Sequence, residues 1–535
     1  MCGLTLYVSK NEEDDRKLNN TNHRGPDHTT IHKFKHLDYN ISIAFHRLAI
    51  IDLKHGDQPF FYNDDLSDRQ VYLVCNGEIY NYKRLIKDYK LKTKSDCHVI
   101  LDLYLQHGIE YTVDKLDGEF AFIILDMSKD SLNIIYCRDR FGIRPLFYFD
   151  TPDGYYFSSE LKGLPFEGKG SQVEPRNIFF IKNGQKLKIP YYQIGKNIND
   201  NINSDYLVML GKIKKTLINS IKDRMSTERP LGSLLSGGLD SSLISGIAAR
   251  ILKEDGKRLN TFSIGMTDDS PDIINARLVA EHINSVHHEI IIPPEKWIDT
   301  LKSVIKQIET YDITTIRAST GQYLIAKWIS ENTDIKVILN GDGSDELTSG
   351  YLYFYNAPNS DISHNENIRL LNEIHKYDVL RVDRGICAFG LEARVPFLSH
   401  HFVDCYLSID KSLRNPIKNK RMEKFLLRKA FDDDVIIPRK ILYRQKDAFS
   451  DAVSNLEKSW FEYIQEYVET EVSDKEFSKV NISNFNRFPS KEAYWYYKIF
   501  KEFYPESILE VSYWQPLWTT ENNGDPSARK LKSLY

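Results

Sequence analysis

Three stretches of this 535-residue chain combine residue types at spacings that chemistry can use. Cys2 stands directly behind Met1 and ahead of an apolar run, Leu4 to Val8. Removal of Met1 would give Cys2 a thiol and a free α-amine. An amine with an unperturbed pKa near ~8 can act as base to its own nucleophile. A lone cysteine is more often a small buried hydrophobe, so this position decides nothing without partner residues. The second stretch is Ser236-Gly237-Gly238-Leu239-Asp240-Ser241-Ser242, between the short apolar run Leu231 to Leu235 and the apolar-periodic segment Leu243 to Leu252. Strand, tight loop and helix in that order cradle phosphate, because glycines permit close approach of an anion and the helix start offers free amides. The loop lacks the lysine of G-x-x-x-x-G-K-[ST], and Asp240 makes sense there if Mg²⁺ accompanies the phosphates. The third stretch runs from Val337-Ile338-Leu339 into Asn340-Gly341-Asp342-Gly343-Ser344-Asp345-Glu346. Alone, such an acidic glycine loop reads equally as a solvated turn. Its place after the phosphate loop favours a metal–nucleotide role.

These residues need elements to hold them. Beyond Leu4 to Val8, the segments Phe120 to Asp126, Ile134 to Asp139 and Leu146 to Asp150 read as strands, and Asp96 to His107 as a helix. From Gly184 to Asp205 the pattern weakens into Lys, Asn, Gly and Pro, with Asn197 to Asn203 at its centre, and a linker is placed at 191–205. A helix over Tyr206 to Arg224 leads to the apolar run before the phosphate loop. Leu259 to Gly265 and His288 to Ile292 flank a helical stretch, Ile273 to Ile283, and another helix covers Gln322 to Glu331. Alternating strand and helix predicts a parallel α/β sheet with ligands at the carboxyl ends of its strands. Adjacent residues of a strand face opposite sides, so His287-His288 is not read as a metal site.

Composition narrows the classes of function. The length demands more than one core. Lys and Arg number 71 against 75 Asp and Glu, which gives no electrostatic argument for nucleic acid or an anionic membrane. The six cysteines lack C-x-x-C spacing, so neither a zinc site nor a disulfide framework is expected, and a reducing cytoplasm fits. No apolar run approaches the ~20 residues that span a bilayer.

The N-terminal part carries Cys2-Gly3, Arg24-Gly25-Pro26-Asp27, His46 to Asp52 (HRLAIID), Asn76 to Asn81 (NGEIYN) and Ser95-Asp96. Together these resemble the glutaminase domain of class II glutamine amidotransferases, N-terminal-nucleophile (Ntn) hydrolases with an αββα sandwich. The loop at Ser236 to Ser242 resembles that of the ATP pyrophosphatases. With Asp383-Arg384, Gly390 to Leu398, Met422-Glu423-Lys424, Arg444 to Asp451 and the tail Asp525 to Arg529, the chain resembles the glutamine-hydrolysing asparagine synthetase family over nearly its whole length. The resemblance implies a glutaminase domain at 1–190 and a synthetase domain of adenine nucleotide α-hydrolase type at 206–535.

It also implies roles. Cys2 would attack the glutamine amide, with Asn76 and the Gly77 amide as oxyanion donors. Glutamine binding would involve Arg47, Leu48, Ala49, Ile50, Ile51, Asn76, Gly77, Glu78 and Asp96. Arg47 suits an α-carboxylate and Asp96 an α-ammonium. ATP would be held by Leu234, Ser236, Gly237, Gly238, Asp240, Ser241, Ile264, Asn340 and Gly341, with Mg²⁺ on Asp240 and Asp345. Asp342 would serve adenylate formation, and Lys446 and Arg317 would steady phosphate charge. The implied partners are small molecules, namely glutamine, aspartate and ATP, and a homodimer is left open.

The family loop usually reads Ser-Gly-Glu-Gly-(Ser/Ala)-Asp-Glu, so Asn340 and Asp342 depart from it. Shortening that carboxylate by one methylene displaces it by about 1 Å, enough to cost about a hundredfold in rate unless neighbours compensate. Gly321, where Pro is common, and Asp447, where Glu is common, are milder departures. Three rivals stand beside this reading: a β-lactam synthetase-like enzyme, an ammonia-only synthetase that retains Met1, and a binding protein without catalysis.

Overall fold

The computed structural model of the chain describes residues 1–12, 15–165, 169–196, 205–416, 421–447, 452–455, 457–483 and 488–518. The segments Asn197 to Asn203, Ala448 to Asp451 and Asp525 to Arg529 singled out above lie outside them.

The N-terminal half is built on two six-stranded sheets. One orders its strands 171–172, 147–151, 154–158, 3–9, 39–47, 28–36; the other orders them 185–190, 177–182, 131–138, 118–128, 69–79, 60–64. Every pairing within both is antiparallel. Strand alternation sends Leu4, Leu6 and Val8 inward to meet Val74, Ile123, Leu125 and Tyr136 of the facing sheet. The outer face of the second sheet, including Phe120, Phe122 and Ile124, is covered by Val99, Ile100 and Leu103 of helix His98–His107 and by Val113 of Ile109–Lys115. On the outer face of the first sheet, Tyr7, Ala44 and Tyr156 join Leu18 and Leu161 in a core continuous with the C-terminal half. This is the αββα sandwich expected of an Ntn hydrolase.

One expectation needs correcting. The weakly patterned stretch from Gly184 begins with a strand, Gln185–Pro190, paired antiparallel with Asn177–Lys182. As an edge strand with its first four residues exposed, it buries no face and so shows no alternation of apolar residues.

The C-terminal half carries a five-stranded sheet in the order 286–291, 260–265, 231–234, 337–339, 392–394, with every pair parallel. The chain builds outward from Leu231–Leu234 to one side, then returns to add Val337–Leu339 on the other. Such a switch point opens a crevice at the carboxyl ends of the two central strands. Two of the stretches that opened the sequence reading leave the sheet there.

Buried ion pairs fasten the halves together. Arg24 contacts Glu160 at 2.7 Å and Asp383 at 2.8 Å, and Arg224 reaches Glu119 at 3.2 Å. All five side chains are essentially without solvent contact. Charges withdrawn from water are tolerated only when paired, so these contacts hold one relative placement of the halves.

Candidate functional site

The loop after Leu231–Leu234 and the loop after Val337–Leu339 line one cavity of about 260 Å³. Its walls include Leu234, Ser236, Gly238, Asp240, Ser241, Ile264, Asn340, Gly341, Asp342, Asp345 and Lys446, so most residues assigned to ATP and metal converge there. Gly237 lies beside them with φ +69°, and a Cβ on it would meet the Asn275 backbone at 2.4 Å. No side chain fits there. Ser236 Oγ sits 3.0 Å from Ser241 Oγ and accepts from the Gly238 amide at 3.3 Å, which curls the loop over the start of helix Leu239–Glu254. Arg444 closes the rim by donating to the Gly237 carbonyl at 3.1 Å.

Two lysines organise the charge. Lys424 Nζ lies 2.5 Å from Asp240 Oδ2 and 2.6 Å from Asp345 Oδ1, and Lys446 Nζ donates to Asp345 Oδ2 at 2.6 Å. Burial disfavours the charged form of Asp345, but Lys424 and Lys446 overcome it and hold the carboxyl well below its usual range. Burial likewise opposes the Lys446 ammonium, and Asp345 with Asp240 keeps it charged. Gly350 makes room for this arrangement, because a Cβ there would stand 2.2 Å from Lys424 Cε.

Asp342 faces the same cavity. It pairs with Arg381 and accepts from Gln322 Nε2 at 3.1 Å, while its amide donates to Asn340 Oδ1 at 3.0 Å. Burial raises its pKa against the pull of Arg381. The shorter carboxylate is thus gripped on two sides, and Asn340, the other departure in this loop, fixes its backbone. We expect Asp342→Glu to leave asparagine formation within about threefold of the parent or to raise it, measured as initial rate. A loss beyond about tenfold would mean that Arg381 and Gln322 have set the site around aspartate.

Arg317 departs from its expected place. The segment Thr314 to Thr320 belongs to a helix, Ile313–Asn332, that starts earlier than its periodicity suggested. On that helix Arg317 turns from the cavity to form a bidentate pair with Glu492 at 2.8 and 2.6 Å and lies over the Phe461 ring. Neighbours Ala318, Gly321 and Gln322 line the cavity instead. Arg317 reaches a phosphate only by releasing Glu492.

At the other site, the Cys2 amide donates to Asn76 Oδ1 at 2.9 Å, and Cys2 Sγ lies 3.8 Å from the Leu48 carbonyl. Asn76 Nδ2 is buried with no hydrogen-bond partner, a donor available to an oxyanion. Gly77 follows, so tightly packed on strand 118–128 that a Cβ would come within 2.5 Å of the Glu119 carbonyl. Asp96 accepts from the Ile79 amide at 3.0 Å, and burial pushes its pKa up to about 6. Glu78 reaches across to Arg394 at 3.4 Å. The loop Leu48–Ile51 is pinned by Asp27, which accepts from the Ala49 amide at 2.9 Å. Arg47 is committed to the next turn, donating to Asp52 O at 2.6 Å and to Asp57 at 2.9 Å. Asp57 is half exposed, so this pair borders solvent. Met1 is buried, its ammonium 3.2 Å from Glu392, and burial raises the Cys2 thiol to about 11. With Met1 attached, the Cys2 nitrogen is an amide and the thiol has no base.

Glu392 begins the strand beside Val337–Leu339, so the Cys2 site abuts the sheet whose strand ends form the cavity. Comparison with known proteins accounts for that union. Residues 1–204 match the glutamine amidotransferase domain, and 212–370 with 359–529 match the asparagine synthase family. The human asparagine synthetase [glutamine-hydrolyzing] is 41% identical over 545 residues, covering 95% of this chain and 94% of that protein. Its chicken counterpart is 40% identical with the same coverage. The chain belongs to the glutamine-hydrolysing asparagine synthetase family. Within that family frame, Lys424, Arg381 and Gln322 are cavity residues to which sequence reasoning assigned no role, as it assigned none to the buried Ser344. Ser344 donates to Asp240 Oδ1 at 2.8 Å. Lys424 stood in a recognised segment, but a single lysine carries no signal of burial. The synthetase-family cavity also borders Glu346, whose pKa burial raises well above the ordinary value.

Proposed function

We propose that the chain makes L-asparagine from L-aspartate, L-glutamine and ATP by way of β-aspartyl-AMP, with residues 1–190 releasing ammonia and residues 206–535 using it. Supporting the reading above all is the cavity at the switch point, where the Ser236–Ser242 loop faces Asp342, Asp345, Lys424 and Lys446. A β-lactam synthetase-like enzyme lacks reason to keep Cys2 against Asn76, and a scaffold lacks reason to bury two lysines among carboxylates.

In the first half-site, Cys2 freed of Met1 attacks the glutamine side-chain carbonyl while its α-amine takes the thiol proton and returns it to the leaving nitrogen. The C–N bond breaks, ammonia departs, and water then hydrolyses the thioester to glutamate and free Cys2. Asn76 Nδ2 and the Gly77 amide stabilise the oxyanion. In the second, an aspartate carboxylate oxygen attacks the α-phosphorus and pyrophosphate departs; ammonia nitrogen then attacks the acyl carbon and AMP departs. The backbone of the serine–glycine loop holds the departing pyrophosphate, and Lys446 balances its charge. Asp240 and Asp345 fit Mg²⁺, since their oxygens already converge on one cation, the Lys424 ammonium, at 2.5 and 2.6 Å. When bound, the ion neutralises phosphate charge. Six unpaired cysteines suit the reducing cytoplasm. No helix among the described residues is long and apolar enough to cross a membrane.

Release of asparagine and pyrophosphate with ATP, Mg²⁺ and aspartate, driven by glutamine and separately by ammonia, tests the reading. No pyrophosphate under either condition would remove it. A pH dependence follows from Asp96, which holds an α-ammonium only when ionised. Its pKa of about 6 lies above the usual aspartate value because of burial, so the ionised fraction falls as pH drops through 6. The KM for glutamine should therefore rise by about tenfold per pH unit below that point. The KM for ammonia, taken as free base, should not follow; a flat glutamine profile between pH 5 and 7 would exclude Asp96 from the ammonium.

A further inference from the structure

Outside both sites, three metal-ligating side chains meet at the contact between the halves. Asp117 lies in the turn between helix Ile109–Lys115 and strand Gly118–Ser128, and His400 and His401 open helix His400–Leu407 of the other half. His400 Nδ1 is 3.3 Å from Asp117 Oδ1 and His401 Nε2 is 3.7 Å from Asp117 Oδ2. The two imidazole centroids are 3.9 Å apart. All three ligand atoms fall within 4.8 Å of one another.

We propose that Asp117, His400 and His401 form a zinc-type transition-metal site that ties the glutaminase half to the synthetase half. Two imidazoles and one carboxylate are the donor set that zinc takes, with a fourth position left to water. Bonds of about 2.0–2.1 Å at tetrahedral angles put donor atoms about 3.3 Å apart, the separation already present between Asp117 and His400. His401 stands further off, 3.7 Å from the other carboxylate oxygen, and has room to close the set because its side chain is 59% exposed. That exposure also supplies the entry path. A sequential His-His pair on a strand points to opposite faces, whereas here the first turn of a helix turns both rings toward one carboxylate, one offering Nδ1 and the other Nε2.

The surrounding charges permit a divalent ion. Arg224, whose charge acts on Asp117, is already paired with Glu119, and Arg140, whose charge acts on His401, lies over the Tyr192 ring at 4.8 Å. Asp404 and Asp223 add negative charge on the same side. The site also has a lever on the glutamine pocket. The Asp117 carbonyl accepts from the Tyr80 amide at 2.8 Å, and its amide donates to Asn81 Oδ1 at 3.1 Å. Both partners end the stretch that carries Asn76, Gly77 and Glu78. An ion on Asp117 therefore steadies the end of that strand against the synthetase half.

The test uses the full chain, stripped of metal by chelation and free of ATP. Zinc and cobalt(II) are titrated into the parent, His401→Gln and His400→Gln, with bound metal counted after gel filtration and cobalt followed by its visible absorption. The parent should hold one zinc more than either variant at micromolar metal, show tetrahedral cobalt bands that both variants lack, and gain several degrees in melting temperature with zinc. His401→Gln, a surface change, should fold and melt like the metal-free parent. Equal zinc stoichiometry in all three proteins, or no zinc retained by the parent, would overturn the proposal. So would cobalt bands that persist in both variants, since the acidic nucleotide cavity would then be the binder.

Discussion

Cys2→Ala is expected to abolish asparagine formation from glutamine, by at least about a thousandfold, while asparagine formation from ammonia stays within about threefold of the parent. The asymmetry follows from geometry. Cys2 touches Asn76 and Leu48 and contributes nothing to the cavity at the strand ends. Losing the sulfur removes the thiol held against Asn76, while the buried contacts between the two halves, Arg24 with Asp383 and Arg224 with Glu119, remain. Glutamate release, asparagine and pyrophosphate should be measured in parallel under both nitrogen sources. Equal loss of both activities would make Cys2 a packing residue. Intact mass belongs with this experiment: a parent that keeps Met1 has no α-amine at Cys2 and should behave like the variant.

Lys424→Met should do the reverse. Lys424 is 2% exposed and its ammonium joins Asp240 to Asp345. Methionine preserves the stem and removes the charge, leaving two carboxylates to repel each other where a polyanion must bind. Asparagine and pyrophosphate formation should fall by about a hundredfold or more with either nitrogen source, a cost of about 2.7 kcal/mol in the barrier. Glutamine hydrolysis without ATP should persist within about threefold, because no atom of the Cys2 site touches Lys424. Breaking a buried pair also destabilises by about 3–5 kcal/mol, so a melting curve must accompany the rates. Unchanged pyrophosphate formation would show that Lys424 only balances the carboxylates until a cation replaces it.

Local order along the chain determined a good deal here. The serine–glycine loop, the acidic loop after Leu339 and Cys2 ahead of a strand were readable because each requires residues within a few positions of one another. Helix Tyr206–Arg224 falls where its periodicity placed it, since an apolar stripe is imposed by the face it buries. Family membership followed from the order of many such short segments.

The tertiary structure alone decided which side chains meet. Lys424 finds Asp240 across 184 positions, Arg317 finds Glu492 across 175, and nothing near either residue announces its partner. Strand Gln185–Pro190 escaped notice because hydrogen bonding to a neighbour holds it, without a buried face to pattern its sequence. Asp117, His400 and His401 came together in the same way, from two halves. Periodicity records only what a residue's own element buries; long-range contacts between charged groups leave no such record, so the chemistry of the loops was legible and the partners that set their charge were not.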